Sequence, residues 1–317
     1  MLRVLGVLES EEEMVKAPKG SAPLYDVVDF YYHSVKFLKL RPATQKDYEY
    51  QIDKAVATVL HDGRRLGEIR FENIKLKHIT QAYEQWLKSG TRTANIRATY
   101  LSAVWRVAKQ HEITRYINPI SLLDREKEKP RKVLWEEAHV IKFLNTAYAE
   151  FDWRSIGLIV HMAYDFAQRV GDMRLLKWDS VNLDAQRLDI EQSKRGASVH
   201  LPIGDNLCAM LKSQQEAFGF QDYVAPKPKP RAGAWVPYEK RDISIVTNDI
   251  LATANLPSDL CAMDLRRTAI TEMVEAGVDI AGIMQVSGHQ DPSSVKPYMV
   301  NTLAGATTAL DKRNKNK

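Results

Sequence analysis

The chain has 317 residues, of which 44% are hydrophobic and 27% are charged, values that exclude a disordered or fibrous protein. At roughly 150 residues per domain, this length predicts about two domains. The 45 basic and 40 acidic side chains leave a net charge of +5. That small excess is compatible with an anionic partner but does not indicate its kind.

Cysteine usage and hydropathy narrow the class of protein further. Two cysteines, Cys208 and Cys261, exclude a disulfide framework and a cysteine-rich zinc site, and they favour a reducing compartment. No run reaches the roughly 18 apolar residues of a membrane-spanning helix. Residues 1–8 are apolar but too short for a signal peptide. The sequence therefore predicts a cytoplasmic protein without a membrane partner.

The N-terminal part has a helical pattern. Residues 1–23 mix acids with proline and glycine and predict an N-terminal arm. Predicted helices then begin near Leu24, at the N-cap Thr44, near Ile79 and at Thr93. Short loops join them, so residues 24–117 predict a four-helix domain. Residues 118–132 are dense in mixed charge, which is typical of a linker.

Residues 133–300 predict a mainly helical domain with a small β-sheet, so the fold class is α+β with helix predominating. Alternating runs over 187–192 and 198–203 predict a β-hairpin. The predicted helices cover 135–144, 156–167, 207–217, 244–254, 265–276 and 279–286. Residues 225–242 predict a basic, proline-rich loop, which could lie on a phosphate backbone or be a solvated insertion.

Motifs of cofactor and metal enzymes are absent from the sequence. We find no glycine-rich phosphate loop before a helix, no His-Glu-x-x-His and no Gly-x-Ser-x-Gly. The eight histidines have no metal-ligand spacing. We therefore expect neither a cofactor nor a metal ion.

Four polar residues in the second domain do indicate a site that could carry out a chemical reaction. Arg169 directly follows an apolar helix, where a cation is costly unless it meets an anion. Arg266 lies among apolar neighbours, His289 follows Ser-Gly at a helix end, and Tyr298 comes nine residues later. Taken singly, each is compatible with an ion pair, a helix cap or packing. Their order and spacing carry the argument.

In that order these residues resemble the tyrosine recombinases, the family of Xer-type, Cre-type and phage integrases. The family pattern begins with Gly-x-Arg-x-x-Glu-Leu and ends in Leu-Gly-His with a tyrosine nine residues later. A lysine on a hairpin turn and a His-x-x-Arg lie between. The matching residues here are Arg169 with Asp172, Lys194 on the turn, Arg266, and His289 with Tyr298. The resemblance covers about 133–300, and the region 24–117 looks like the family's core-binding domain.

The resemblance implies roles for these residues. Arg169 and Arg266 would clamp the scissile phosphate, His289 would be a third donor, and Tyr298 would attack to give a 3′-phosphotyrosyl bond. Lys194 would be the general acid for the leaving 5′-oxygen. Met263 stands where the family has a histidine, which puts the rate in doubt more than the reaction type. Asp172 keeps the carboxylate of the family's glutamate.

The resemblance also implies partners. They are double-stranded DNA core sites, further copies of the chain in a tetramer and, optionally, an accessory DNA-bending protein. A DNA partner also implies a location at the nucleoid of a bacterial or phage-infected cell. The basic residues expected on DNA are Lys46, Arg92, Arg97, Lys227, Lys229 and Arg231. The tail 301–317 could be a helix exchanged between protomers or a frayed terminus. Two alternatives stay open: a catalytically weakened DNA-binding member of the family, and a type IB topoisomerase-like enzyme.

Overall fold

A computed structural model describes residues 17–193, 196–299 and 303–315. The chain divides into two compact units, residues 1–130 and 131–317. Both are predominantly helical, and the second contains a small sheet, so the predicted α+β class with mainly helical content is confirmed. Along the described stretches, every helix is too short or too polar to cross a bilayer.

In its described residues, the first unit has five α-helices. They are α1 (Leu24–Tyr32), α2 (Val35–Leu38), α3 (Pro42–Val56), α4 (Leu76–Leu87) and α5 (Thr91–Gln110). Each of the four longer helices contributes a fully buried side chain to one core, namely Leu24, Ile52, Ile79 and Leu101. Burial of one apolar face per helix is what makes this bundle stable.

Two details of this unit differ from the prediction. The first helix is interrupted at His33, because Ser34 caps a new short helix by accepting a hydrogen bond from the Phe37 backbone N–H at 3.3 Å. Helix α3 begins at Pro42, two residues before the expected cap Thr44, since proline is well suited to the first helical position.

Segments on both sides of the bundle pack onto it. The carbonyls of Gly20 and Ala22 accept hydrogen bonds from the backbone of Glu72 and Phe71, so the described end of the N-terminal arm is tied down. Residues Pro119–Leu122 form a 3-10 turn whose Ile120 is 1% exposed and joins the core. The charge-rich composition of 118–132 did not reveal this buried isoleucine.

The second unit carries the remaining helices and the sheet. Its helices are α6 (Glu137–Ala149), α7 (Phe151–Asp165), α8 (Val170–Met173), α9 (Asp205–Phe218), α10 (Lys240–Thr253), α11 (Leu265–Glu275), α12 (Ile280–Ser287) and α13 (Leu303–Lys315). The apolar helix α7 lies at the centre, with Ile156, Leu158, Ile159 and Val160 all 0% exposed. Helix α13, in the expected C-terminal tail, lies against α11.

Three strands form one antiparallel sheet in the order β1 (Val181–Asn182), β2 (Arg187–Glu191) and β3 (Ser198–Pro202). In the register of β2 and β3, Leu188 lies opposite Leu201 and Ile190 opposite Val199. The predicted hairpin is thus confirmed. The short strand β1 was not predicted, because two residues carry no detectable alternation.

Candidate active site

Arg169 follows a sharp change of chain direction. Helix α7 ends at Asp165, and Ala167 has the left-handed φ of +48°. Arg169 then takes the N-cap position of α8 in an extended conformation. Its Nη1 donates to the Gln192 Oε1 at 2.8 Å and lies 3.7 Å from the Asp172 Oδ2. The side chain is 29% exposed, so part of its guanidinium can reach a ligand.

Arg266, by contrast, is buried, with 6% of its surface exposed at the start of α11. Its Nη1 donates to the Ala167 carbonyl at 3.0 Å, and its Nη2 lies 3.2 Å from the His289 Nε2. Among the described residues, no carboxylate forms an ion pair with Arg266. A buried guanidinium without a carboxylate partner is a suitable position for an external anion.

The pKa of the Arg266 guanidinium is lowered to about 10, chiefly by burial and next by the positive charge of Arg169. The side chains of Tyr298 and Asp172 act oppositely and raise it. The two cations therefore lie close enough to repel each other, and a bound anion would relieve that repulsion.

His289 is held by the end of α12. The preceding Gly288 has the left-handed φ of +69°, which ends the helix. The Ser287 hydroxyl donates to the Ile283 carbonyl at 2.6 Å and lies 2.7 Å from the His289 Nδ1. Since that hydroxyl has one hydrogen, already donated, Nδ1 carries the proton and donates to Ser287. The Nε2 is then an acceptor for Arg266, which can only donate.

Tyr298 ends a single 3-10 turn, Lys296–Tyr298. Its ring centre is 5.5 Å from that of His289, and the Arg267 guanidinium carbon is 6.0 Å from the ring centre. The Tyr298 carbonyl accepts a hydrogen bond from the Thr271 hydroxyl at 3.2 Å, and the fully buried Val295 anchors the turn. The structure thus brings together Arg169, Arg266, His289 and Tyr298.

The remaining predicted residues of the site have different outcomes. Asp172 has an 8% exposed side chain, and its Oδ1 accepts a hydrogen bond from the Ser193 hydroxyl at 2.5 Å. Lys194 lies outside the described residues. Met263, at the family's histidine position, is 78% exposed in the turn Ala262–Asp264. A side chain this exposed has no packing role.

A charged pair not predicted from the sequence lies next to Met263. The Arg131 guanidinium binds the carboxylate of Asp264 through two nitrogens, with Nε at 2.8 Å and Nη2 at 2.7 Å from Oδ2. The Arg131 carbonyl accepts from the Arg267 side chain, and the Trp135 indole N–H donates to the Cys261 carbonyl at 3.0 Å. These contacts fix the segment that leads into Arg266.

Two buried glutamines also belong to the site. Gln168 and Gln192 are 0% and 1% exposed, and the Gln192 Nε2 donates to the Gln168 Oε1 at 2.6 Å. We did not predict either. A signal was present, because the alternation of Leu188 and Ile190 along β2 continues to Gln192, the residue after the strand, and places a polar residue on the buried face.

The basic residues expected on DNA lie in both units. In the first unit, Lys46 on α3 and Arg92 on α5 are exposed, and Arg97 is half-buried with its Nε donating to the Gln51 Oε1 at 3.2 Å. Burial lowers the pKa of Arg97. These three side chains are carried by two helices that pack against each other.

In the second unit, the loop between α9 and α10 carries the other three. Lys229 and Arg231 are exposed. Lys227 instead forms an ion pair with Asp242 at 2.5 Å and lies 6.0 Å from the centre of the Tyr238 ring. An internal partner of this kind competes with a phosphate, so Lys227 is the weakest of the six candidates.

We found no metal centre in the described part of the chain, where no three His, Cys, Asp or Glu side chains are grouped to hold an ion. Besides the carboxylate of Asp172 and the two glutamine amides, the polar groups at the candidate site are two guanidinium groups, an imidazole and a phenol. The guanidinium groups are donors that suit an oxyanion such as a phosphate.

Sequence comparison connects this geometry to known proteins. A sequence profile described as the phage integrase family matches residues 136–303, more than half of the chain. The integrase of Escherichia phage HK022 is 25% identical over 228 residues, which cover 68% of this chain and 60% of that protein. Tyrosine recombinase XerC of Bacillus pumilus is 21% identical over 241 residues, covering 73% of this chain and 76% of XerC.

Solved structures share the fold. A lambda integrase dimer bound to a COC′ core site has a TM-score of 0.71 at 18% identity, over 95% of this chain and 81% of that one. The Tn1549 transposon integrase, in complex with a circular intermediate DNA, has a TM-score of 0.71 at 14% identity, over 92% of this chain and 100% of that one. From the matched profile, the chain belongs to the phage integrase family, the tyrosine recombinases.

Proposed function

We propose that this protein is a site-specific DNA recombinase, or integrase, that cleaves and rejoins DNA through a 3′-phosphotyrosyl intermediate. The observation that carries the proposal is the arrangement at Arg266. This buried guanidinium has no described carboxylate within ion-pair distance, it lies near the like charge of Arg169, and it contacts His289, whose ring centre is 5.5 Å from that of Tyr298. A nucleophile is therefore held beside an anion site.

The chemistry follows from these groups. Arg169 and Arg266 donate to the non-bridging oxygens of the scissile phosphate, on which negative charge builds in the transition state. The Tyr298 Oη attacks phosphorus, and the bond to the 5′-oxygen breaks. Lys194 protonates that oxygen. The phosphotyrosyl bond conserves the energy of the phosphodiester, so a free 5′-hydroxyl of another strand reverses the step and rejoins the DNA.

The tautomer of His289 bears on the proton that Tyr298 loses. With its proton on Nδ1, the imidazole can accept at Nε2 but cannot donate a hydrogen bond to phosphate from that atom. Once Arg266 turns toward a phosphate, Nε2 is freed to take the phenolic proton. His289 then takes over the proton acceptance that Met263 cannot provide.

We assign the DNA contacts to both units, in the division expected from the sequence. Residues 24–117 are the core-binding domain, with Lys46, Arg92 and Arg97 on the DNA side. Residues 133–300 are the catalytic domain, in which Lys229 and Arg231 contact phosphates. The similar structures include a lambda integrase dimer bound to a core site and a lambda integrase tetramer bound to a Holliday junction. We infer the same partner, double-stranded DNA, and a tetramer for this chain, with α13 as the helix exchanged between protomers.

The chemistry alone also fits a type IB topoisomerase-like enzyme, so the test separates the two. Nicked duplexes from the DNA that flanks the gene serve as substrates, and protein–DNA adducts are detected by denaturing electrophoresis. We expect an adduct at one site with the wild-type chain and none with Tyr298→Phe. Adduct persisting at the wild-type level in Tyr298→Phe would refute the assignment of Tyr298 as the nucleophile. Relaxation of any supercoiled plasmid without site preference would identify a topoisomerase instead.

A further inference from the structure

The Gln192 side chain is buried at the centre of the candidate site, and both the oxygen and the nitrogen of its amide have hydrogen-bond partners. Its Oε1 accepts from the Arg169 Nη1 at 2.8 Å. Its Nε2 donates to the Gln168 Oε1 at 2.6 Å and to the Ser287 carbonyl at 2.7 Å. Arginine can only donate and a carbonyl can only accept, so the amide has a single orientation that satisfies all three partners.

Gln168 extends this arrangement to a second chain segment. Its Nε2 donates to the Phe166 carbonyl at 2.9 Å and to the Val286 carbonyl at 2.7 Å. Both hydrogens of that amide are thus donated, which leaves its Oε1 to accept from Gln192. The two glutamines join the end of β2, the turn before Arg169 and the end of α12. Each of these segments leads directly into a residue of the site.

The close approach of Gly288 makes this packing tight. A Cβ built on Gly288 would lie 2.5 Å from the Gln192 Nε2, and the residue has a φ of +69°. Only glycine meets both conditions. The position of the Gln192 amide and the backbone that carries His289 are therefore fixed together.

Arg169 has a competing partner within reach. The Asp172 Oδ2 is 3.7 Å from the Arg169 Nη1 and is buried without a hydrogen bond from any described residue. A carboxylate attracts a guanidinium more strongly than a neutral amide does. Without the Gln192 Oε1, the Arg169 guanidinium would move toward Asp172 and away from an incoming phosphate.

We propose that Gln192 is a positioning residue for strand cleavage, which directs the Arg169 guanidinium toward the scissile phosphate and holds it away from Asp172. The proposal rests on the recombinase function proposed above. Gln192 does not touch the reacting atoms in this scheme. It acts through Arg169.

The test compares Gln192→Leu with Gln214→Leu, a matched control. Gln214 is also 0% exposed, and its Nε2 donates to the Ser155 hydroxyl and the Val224 carbonyl, both at 3.1 Å. Single-turnover adduct formation is measured on the nicked duplex that gives adduct with the wild-type chain. We expect Gln192→Leu to reduce the rate by about 10- to 100-fold, because small misplacements of catalytic groups have effects of that size. Gln214→Leu should retain the rate within about threefold at temperatures where it is folded.

A second substrate separates positioning from simple destabilisation. A methylphosphonate at the scissile position removes one negative charge from the phosphate, so the transition state depends less on the Arg169 guanidinium. On this duplex the deficit of Gln192→Leu should shrink to within about threefold of wild type, as should that of Arg169→Ala. An equal deficit of Gln192→Leu on both substrates, with Arg169→Ala rescued, would overturn the proposal.

A second variant and the result for the wild-type chain keep the possible outcomes apart. If Gln192→Leu fails to fold by circular dichroism, Gln192→Met, which is unbranched and similar in length, replaces it with the same expectations. A wild-type rate of Gln192→Met on the phosphodiester would also overturn the proposal. Absence of adduct with the wild-type chain on every flanking duplex would instead count against the recombinase function itself.

Discussion

The Arg266 guanidinium donates to the Nε2 of His289 across 3.2 Å, while the Nδ1 of the same ring lies 2.7 Å from the Ser287 hydroxyl. The two contacts select one neutral tautomer of the imidazole. They also place the acceptor nitrogen of His289 against the cation that is expected to leave it when a phosphate binds.

Nitrogen-15 NMR of the imidazole tests this tautomer. We expect the proton on Nδ1 in the free wild-type protein, because the Ser287 hydroxyl donates its own hydrogen to Ile283 and can accept from Nδ1, while Arg266 donates to Nε2. Ser287→Ala removes the acceptor of the Nδ1 proton, so the preference between the two tautomers should weaken and adduct formation should fall by about tenfold or more. Ser244→Ala is the control, since the exposed Ser244 hydroxyl makes a similar bond to the Lys240 carbonyl at 3.3 Å. A proton on Nε2 in the wild-type protein would contradict the assignment.

Met263→His restores the family's histidine. We expect cleavage to be retained or increased, because an added imidazole can share the proton transfer. Met263 is 78% exposed, so the free energy of unfolding should change by no more than about 0.5 kcal/mol. Rates on the nicked duplex and urea unfolding check the two parts. A large loss of cleavage in a stable variant would mean that an imidazole here disturbs the site.

Arg131→Leu leaves the buried carboxylate of Asp264 without its cation. We expect the free energy of unfolding of the second unit to fall by about 1–3 kcal/mol, the usual effect of an unsatisfied buried polar group. Urea unfolding monitored by tryptophan fluorescence checks this, since the Trp135 indole is bonded to the same segment. The control is Arg187→Leu, which breaks an exposed pair with Asp189 and should have little effect. Equal losses in the two variants would contradict the buried-pair interpretation.

Glu272 provides a pH-dependent prediction. Burial raises the pKa of its carboxyl above the ordinary value, although the Tyr164 hydroxyl donates to it at 3.0 Å. The folded state thus holds a proton here more tightly than the unfolded state. The charged carboxylate destabilises the fold at neutral pH, and that penalty disappears as the pH falls through the raised pKa.

We therefore expect Glu272→Gln to raise the free energy of unfolding at pH 7, and the gain to vanish near pH 4. Glutamine keeps an oxygen that accepts from Tyr164. Thermal unfolding across this pH range measures the effect, with the exposed Glu216→Gln as the comparison. A gain that is independent of pH, or a loss at pH 7, would show that ionisation of Glu272 is not the cause.

Local patterns in the sequence were sufficient to predict most of the architecture. The β2–β3 hairpin and the helix that follows Met263 depend on nearby residues, and both were predicted. The order and spacing of Arg169, Arg266, His289 and Tyr298 likewise indicated one site, and the structure brings the four together.

Contacts between distant parts of the chain were not predictable in the same way. Gln192 and Ser287 are 95 residues apart, and Arg131 and Asp264 are 133 apart. Nothing in the local pattern at either end identifies such a partner. The buried Ile120 was hidden for a different reason, since it lies beside a segment whose composition is dominated by charge.

The contact between Gly288 and Gln192 has a consequence for building hybrid recombinases. The C-terminal segment with His289 and Tyr298 cannot be exchanged independently, because Gly288 fits only against a side chain of suitable shape at the residue that follows β2. A functional hybrid must take the hairpin and the tyrosine segment from the same parent. A shuffled library of such hybrids should retain the two segments as a linked pair among its active members.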